Sequence, residues 1–404
     1  MLDVHAVSAM LDRHVEAEEI AGAVTLIWRG GTVVQSAEVG WRDVDAKLPV
    51  ECDTIFRIAS ISKAITSLVA LTLLDDGRFA LDDPISRWAP ELTHMRVLRA
   101  MDGPLDDTDP ATRPITFRDL LTHRAGFTYA DFATGSLARA YTDALGGDID
   151  SDVTPDEWIA RLAALPLIDQ PGAHFHYSRA TDLLGLLIAR MEDAPLGEVM
   201  RRRLFEPLGM TDTGFVVPVA QRHRRAKMYG FDDNGTRIER PSGSGGAFRA
   251  ERPETMTYES GGQGLWSTAD DLLAFARLFV GAGSVNGVRI LTPRTMSLMT
   301  TNQLSDAQRA EARMFRMPLF DGHGFGLGVA VVMDRDKASP TLCSGAVGTV
   351  GWPGAFGGWW QADPLEQSVM IFLAQNALEM SQMARGIGLG VYSAISEFHA
   401  LGLS

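Results

Sequence analysis

Lysine is scarce in this chain of 404 residues, which carries it only at Lys47, Lys63, Lys227 and Lys337. Cysteine is scarcer, with Cys52 and Cys343 alone. Two cysteines are too few for a disulfide framework and read as thiols of a reducing compartment. Positive charge is in deficit as well. Lys and Arg number 37 against 51 Asp and Glu, a formal net charge of −14. A surface of that sign repels nucleic acid and acidic membranes, so neither is an expected partner. The chain has no stretch of about eighteen uncharged apolar residues, and no membrane span is expected. The opening run MLDVHAVSAMLDRHVEAEEI has acids and an amphipathic rhythm at Val7, Met10, Leu11 and Val15. That is the pattern of a surface helix rather than a signal peptide, and cytoplasmic location is the expectation. Gly-x-Ser-x-Gly is absent, which removes the nucleophile elbow of an α/β-hydrolase. The glycine pairs in GGQG and GSGG lack a following Lys-Ser/Thr or a βαβ frame, so nucleotide binding is not expected.

What is present is a globular composition, 46% hydrophobic and 22% charged, long enough to hold a core without staples. GAVTLIWRGGTVVQSAEVGWRD reads as two strands around Arg29-Gly30-Gly31. The middle of the chain reads as helices punctuated by Pro and Gly: ITFRDLLTHRAG, TPDEWIARLAALP, SRATDLLGLLIARMEDA and PLGEVMRRRLFEPLGM. Residues 228–257 turn polar and Gly/Pro-rich, as a hairpin or long surface loop would. STADDLLAFARLFVGAG returns to helix behind a Ser/Thr cap. The last third, from GFGLGVAVVMD to SVMIFLAQN, reads as consecutive antiparallel strands before a closing helix. Strands at both ends with helices between predict an α+β fold: an antiparallel sheet from the N- and C-terminal segments, flanked by helices, with a mainly helical insertion. The expected division is one catalytic unit over 1–404. Its α/β part spans approximately 1–70 and 252–404, and its helical part approximately 71–251.

The stretch IFRIASISKAITSLVALTLLDDG sets Ser60 and Lys63 three residues apart at the start of an apolar helix. Residues at that spacing share a helix face. A lysine on a buried helix needs a partner or loses its charge, and a desolvated amine can take a proton near neutral pH. The N-terminus beneath the serine offers free N–H groups to an oxyanion. Ser60 as nucleophile and Lys63 as its activating base is therefore coherent chemistry. The plain alternative is an N-cap serine and a solvated lysine. With four lysines, on the order of a quarter of a Ser-x-x-Lys match arises by chance. The weight of the motif lies in its place, ahead of Ile61, Ala64, Ile65, Leu68 and Val69.

The run from FRIASISKAITSLVALTLLDDG onward resembles the active-site helix of the serine β-lactamase and penicillin-binding-protein superfamily. With ITFRDLLTHRAGF, PGAHFHYSRATDLLG, GGQGLWSTADDLLAFARLF and GFGLGVAV, the chain resembles the family VIII carboxylesterases, which share the class C β-lactamase fold. The resemblance implies a serine carboxylesterase acting on small to medium acyl esters through an acyl-enzyme on Ser60. It implies Tyr177, in YSRA, as partner of Lys63 in proton transfer, with Arg179 where β-lactamases have asparagine. It sets Trp352-Pro353-Gly354 where β-lactamases carry Lys-Thr-Gly, so that Trp352 and Gly354 line the substrate site and Tyr129 borders its mouth. It makes the backbone N–H groups of Ser60 and Ala355 the oxyanion hole. A tryptophan cannot bind the carboxylate that the motif lysine serves, which favours a neutral ester. Pro353 removes a ladder donor and is expected at an edge or bulge. Implied partners are a small-molecule ester and no cofactor or metal; oligomeric state is left open. A β-lactamase or D-amino-acid peptidase, an acyltransferase and a non-catalytic relative are the alternatives. His123 reads as a helix C-terminal or satisfied polar residue. His174 and His176 alternate as a zinc pair could, but spacing supplies no third ligand, and a non-metal role is expected.

Overall fold

The computed structural model describes residues 4–147, 149–240, 248–249, 251–253, 255–314, 317–383 and 385–403. At its centre is an eight-stranded sheet. The strands are β1 (Gly22–Arg29), β2 (Thr32–Asp43), β3 (Leu48–Pro49), β4 (His323–Phe325), β5 (Ala330–Val332), β6 (Val350–Pro353), β7 (Trp359–Asp363) and β8 (Ser368–Ala374). They lie in the order β4-β5-β6-β7-β8-β1-β2-β3 with every pairing antiparallel. The first and last strands of the sequence pattern thus meet in the middle, Ala23 opposite Ala374. The β1–β2 turn is made by Gly30 and Gly31, both at positive φ as a tight hairpin requires.

Alternation along the strands feeds two cores. On one face, Val24, Leu26, Ile371 and Leu373 join the main core. It includes Phe275 and Phe279 of a helix at Ala269–Val280, opened by a Thr268 cap. On the other face, Ile27, Met370 and Phe372 meet Val7, Met10 and Leu11 of α1 (Val4–Glu16). Val391, Ile395 and Phe398 of the closing helix (Gly390–Leu403) complete that core.

Between β3 and β4 the chain is mostly helical. α2 (Ser62–Asp75) is buried from Ser62 to Leu73 and stops ahead of Gly77, which takes the left-handed conformation. α3 (Phe117–Leu121) opens with a Thr116–Asp119 capping box. α4 (Ala180–Glu192) packs into the same core. The segment expected as one helix after Pro195 divides into a helical turn at Leu196–Met200, a π-turn at Arg201–Phe205 and a last turn at Glu206–Leu208. Pro207 has no N–H for the carbonyl one turn earlier, and the ladder widens there. Within the polar stretch, Tyr229–Phe231 pairs with Arg237–Glu239; positions 241–247, 250 and 254 of it lie outside the described residues. Both cysteines are free. Among the described residues no helix is long and apolar enough to cross a membrane.

Candidate active site

The strand Phe56–Arg57 pairs with Trp266–Ser267 and delivers the chain to a single 3₁₀ turn, Ala59–Ile61, before α2 begins. Ser60 therefore sits one turn ahead of the α-helix rather than on its first turn, and Lys63 is the second helical residue. The cause is Ala59, held at φ +45°. A left-handed alanine costs about 1 kcal/mol and bends the chain, so regular i→i+4 bonding starts only after it. Such local strain is typical of the flank of a reacting side chain.

Lys63 is buried to 2% exposure, and its ammonium is met by named groups. Nζ lies 3.2 Å from Ser60 Oγ and donates to the Gly262 carbonyl at 2.9 Å. The rings of Tyr177 and Tyr129 stand 4.7 and 5.4 Å from it. A carbonyl and two π faces replace the water that burial removes. The Gly262 carbonyl is aimed in turn by its own N–H, which donates to Asp182 Oδ1 at 3.0 Å. A Cβ on Gly262 would come within 2.9 Å of that carboxylate. The GGQG segment, unpromising for nucleotides, is thus the holder of the site lysine.

Tyr177 arrives on an extended segment whose His176 N–H donates to the His123 carbonyl at 2.8 Å. Its oxygen accepts a hydrogen bond from Trp352 Nε1 at 3.1 Å. His123 lies just beyond α3 at φ +54°, with its ring 4.9 Å from that of Tyr177 and Nδ1 3.3 Å from Ser178 Oγ. Burial, helped by the charge of Lys63, pushes its imidazole well below the usual histidine range, so it is neutral. Arg179 does not line the site. Its guanidinium stacks 4.9 Å from the Tyr129 ring and 3.7 Å from Asp182.

Trp352 ends β6 together with Pro353. The expectation of an edge or bulge is corrected here. β6 is interior, but β5 pairs only as far as Gly351, while β7 continues to Pro353. The missing N–H falls where one neighbour has already stopped. Gly354 follows, and a Cβ there would stand 2.6 Å from the carbonyl of Ile58. Only a glycine lets this strand end approach the segment that carries Ser60.

Ser60, Tyr129, Tyr177, Trp352, Gly354 and Ala355 come together around one cavity of about 190 Å³. Among the described residues, neither the Ser60 nor the Ala355 N–H donates to a protein acceptor. Phe132, Gln263, Met314, Leu342 and Tyr392 also line the cavity and were not anticipated. They come from scattered segments, and each reads in sequence as ordinary core or loop. A larger cavity, about 310 Å³, is lined by arginines, among them Arg42, Arg57 and Arg225. These pair with Glu51, Asp150 and Glu251 in turn, and no serine lines that cavity. The smaller cavity is the one with chemistry: a hydroxyl within reach of an amine, and a phenol ring beside that amine.

The family described as Beta-lactamase matches residues 7–388. The chain is 43% identical over 369 residues to Protein Rv1367c of Mycobacterium tuberculosis, covering 91% of this chain and 88% of that one. It is 30% identical over 381 residues to Esterase EstB of Burkholderia gladioli, covering 92% and 90%. The solved structure of EstCE1, a hydrolase with promiscuous acyltransferase activity, is similar at TM-score 0.76 and 27% identity, over 96% of this chain and 98% of that one.

Proposed function

The chain belongs to the beta-lactamase family, and from that premise we propose that it is a serine carboxylesterase of the family VIII kind. Ser60 Oγ attacks the acyl carbonyl carbon, and its proton passes to the Lys63–Tyr177 pair. The two N–H groups of Ser60 and Ala355 hold the oxyanion. Collapse breaks the ester bond, and the departing alkoxide takes the proton back. Water then attacks the acyl-enzyme with the same pair as base, and Ser60 is restored.

The observation that carries this reading is the cavity wall. Trp352 fills it, and among the described residues no lysine or arginine lines the cavity. A β-lactam or peptide carboxylate entering there would lose water without gaining a charged fork, which disfavours it. A neutral acyl ester has no such demand. Mass spectrometry of protein quenched during p-nitrophenyl butyrate turnover should find a butyryl adduct on the Ser60 peptide. Ser60→Ala should lose both adduct and turnover while keeping its fold. An adduct elsewhere, or wild-type rates in that variant, would refute the mechanism.

Acyl transfer to an alcohol is a second reading. Met314, Leu342 and Leu378 give the cavity an apolar rim that disfavours water at the acyl-enzyme, and EstCE1 has such an activity by its description. Product analysis with added alcohols separates transfer from hydrolysis.

A further inference from the structure

The segment that leads into Tyr177 begins with a tight turn. Ala173 N–H donates to the Gln170 carbonyl at 3.0 Å, across Pro171 and Gly172, and Gly172 holds φ +87°. Proline followed by a left-handed glycine is the type II pattern. The turn is pinned from outside: Gly172 N–H donates to the Arg124 carbonyl, and Gln308 Nε2 donates to the carbonyls of Gly172 and Ala173. Its effect is to fold Asp169 back over His174 and His176. The third donor that spacing did not supply is therefore present in space.

The three side chains each turn one atom inward, all within 4.8 Å of one another. Asp169 Oδ1 accepts from the Gln170 N–H at 2.8 Å, which leaves Oδ2 facing both imidazoles. Oδ2 is 3.1 Å from His176 Nε2 and is also in contact with His174 Nδ1. The outer nitrogen of His174, Nε2, lies 3.0 Å from Glu311 Oε2. A proton on Nε2 bound to Glu311 leaves Nδ1 as a lone pair pointing inward, and a carboxylate holding the far side of a ligand imidazole is the usual support of a metal site. Two imidazole nitrogens and a carboxylate oxygen then converge on one point. Such a set calls for a cation, either protons on the rings or a metal ion. Burial is incomplete: His174 is 47% exposed and the other two 24%, which leaves a path for an ion and room for water.

We propose that Asp169, His174 and His176 form a binding site for one divalent transition ion of the zinc class, with water completing the shell and Glu311 orienting His174. Nitrogen donors disfavour Mg²⁺ and Ca²⁺, and two imidazoles with one carboxylate suit Zn²⁺ or Ni²⁺. None of the three residues lines the Ser60 cavity. The ion takes no part in ester cleavage. It clamps the turn at 170–173 to the strand-like run that ends at Tyr177.

The test uses the full chain, stripped with a chelator and titrated with ZnSO₄ by calorimetry, with MgSO₄ as control. One Zn²⁺ per chain is expected, with a zinc-dependent rise in Tm. His176→Ala and Asp169→Asn should each weaken binding at least tenfold and lose that rise. Ser60→Ala should bind as wild type does, which separates this site from the catalytic one. Should a variant fail to fold, Co²⁺ added to the stripped wild-type chain should give the visible absorption of a nitrogen- and oxygen-bound ion. No saturable zinc binding, no cobalt band, or undiminished binding in both variants would overturn the proposal.

Discussion

Removing a single donor tests the proton machinery most sharply. Trp352 is 2% exposed and donates Nε1–H to Tyr177 at 3.1 Å, while its ring also forms the cavity wall. Trp352→Phe keeps an aromatic wall and deletes the donor. If Tyr177 carries negative charge as the proton leaves Ser60, that hydrogen bond has a charged acceptor in the transition state and a neutral one before it. Hydrogen bonds to charged groups contribute about 1.5–3 kcal/mol against about 1 for neutral ones. The difference, about 0.5–2 kcal/mol, corresponds to a loss in kcat of roughly 2- to 30-fold. KM should change little, because the ground state loses only the weaker bond. Steady-state hydrolysis of p-nitrophenyl butyrate measures both, with circular dichroism to verify folding. A variant with raised KM and unchanged kcat would refute the reasoning and reduce Trp352 to a wall.

Further consequences follow from the same geometry. Gly354→Ala places a methyl 2.6 Å from the Ile58 carbonyl, two residues from Ser60. Overpacking of this kind costs about 1–3 kcal/mol. Thermal denaturation should show a lower Tm and kinetics a lower kcat, and normal values of both would show that the strand does not need this approach. Burial raises Asp271 from 3.8 to about 6, although Thr213 and the Asp212 N–H hydrogen-bond to it. Between those values the folded chain holds the proton more tightly than the unfolded chain, so stability falls as pH rises from about 4 to about 6. At about 1.4 kcal/mol per pH unit the full effect is on the order of 3 kcal/mol. Asp271→Asn should therefore gain in Tm over wild type on going from roughly pH 4 to roughly pH 7, and a pH-independent difference would contradict this.

Much of the architecture is legible in the chain. The strands of the sheet declare themselves by β-rich runs, and Gly30-Gly31 marks the hairpin. Ser60 and Lys63 stand out because a lysine is so rare here. What sequence does not show is carried by backbone atoms and by distant neighbours. The Gly262 carbonyl that holds Lys63 has no side-chain signature, and its aim depends on Asp182, eighty positions earlier. The indole that binds Tyr177 comes from a strand end 175 residues away. Pro353 announces a missing donor but not the early end of β5 that makes it harmless. Ser60 looked like part of the helix because nothing in ASIS tells that Ala59 takes a left-handed turn. The Asp169 cluster was half visible: Pro171-Gly172 signals a turn, but only folding shows that it reverses the chain onto the two histidines.

The pairing of β1 with β8 has a consequence for how the molecule comes into being. Ala355 follows β6, β6 hangs on β7, and β7 hangs on β8, whose other neighbour is β1. During synthesis β1 can pair at once with β2, but its other edge must wait for residues 368–374 before the sheet can extend past it. Topologies dominated by such distant contacts fold slowly and leave apolar strands uncovered meanwhile. The wall opposite Ser60 is therefore among the last parts to arrive. Esterase activity, if Ser60 is its seat, would be a property of the finished chain alone, and a chain stopped short of β8 would carry the Ser60–Lys63 pair with nothing to react in.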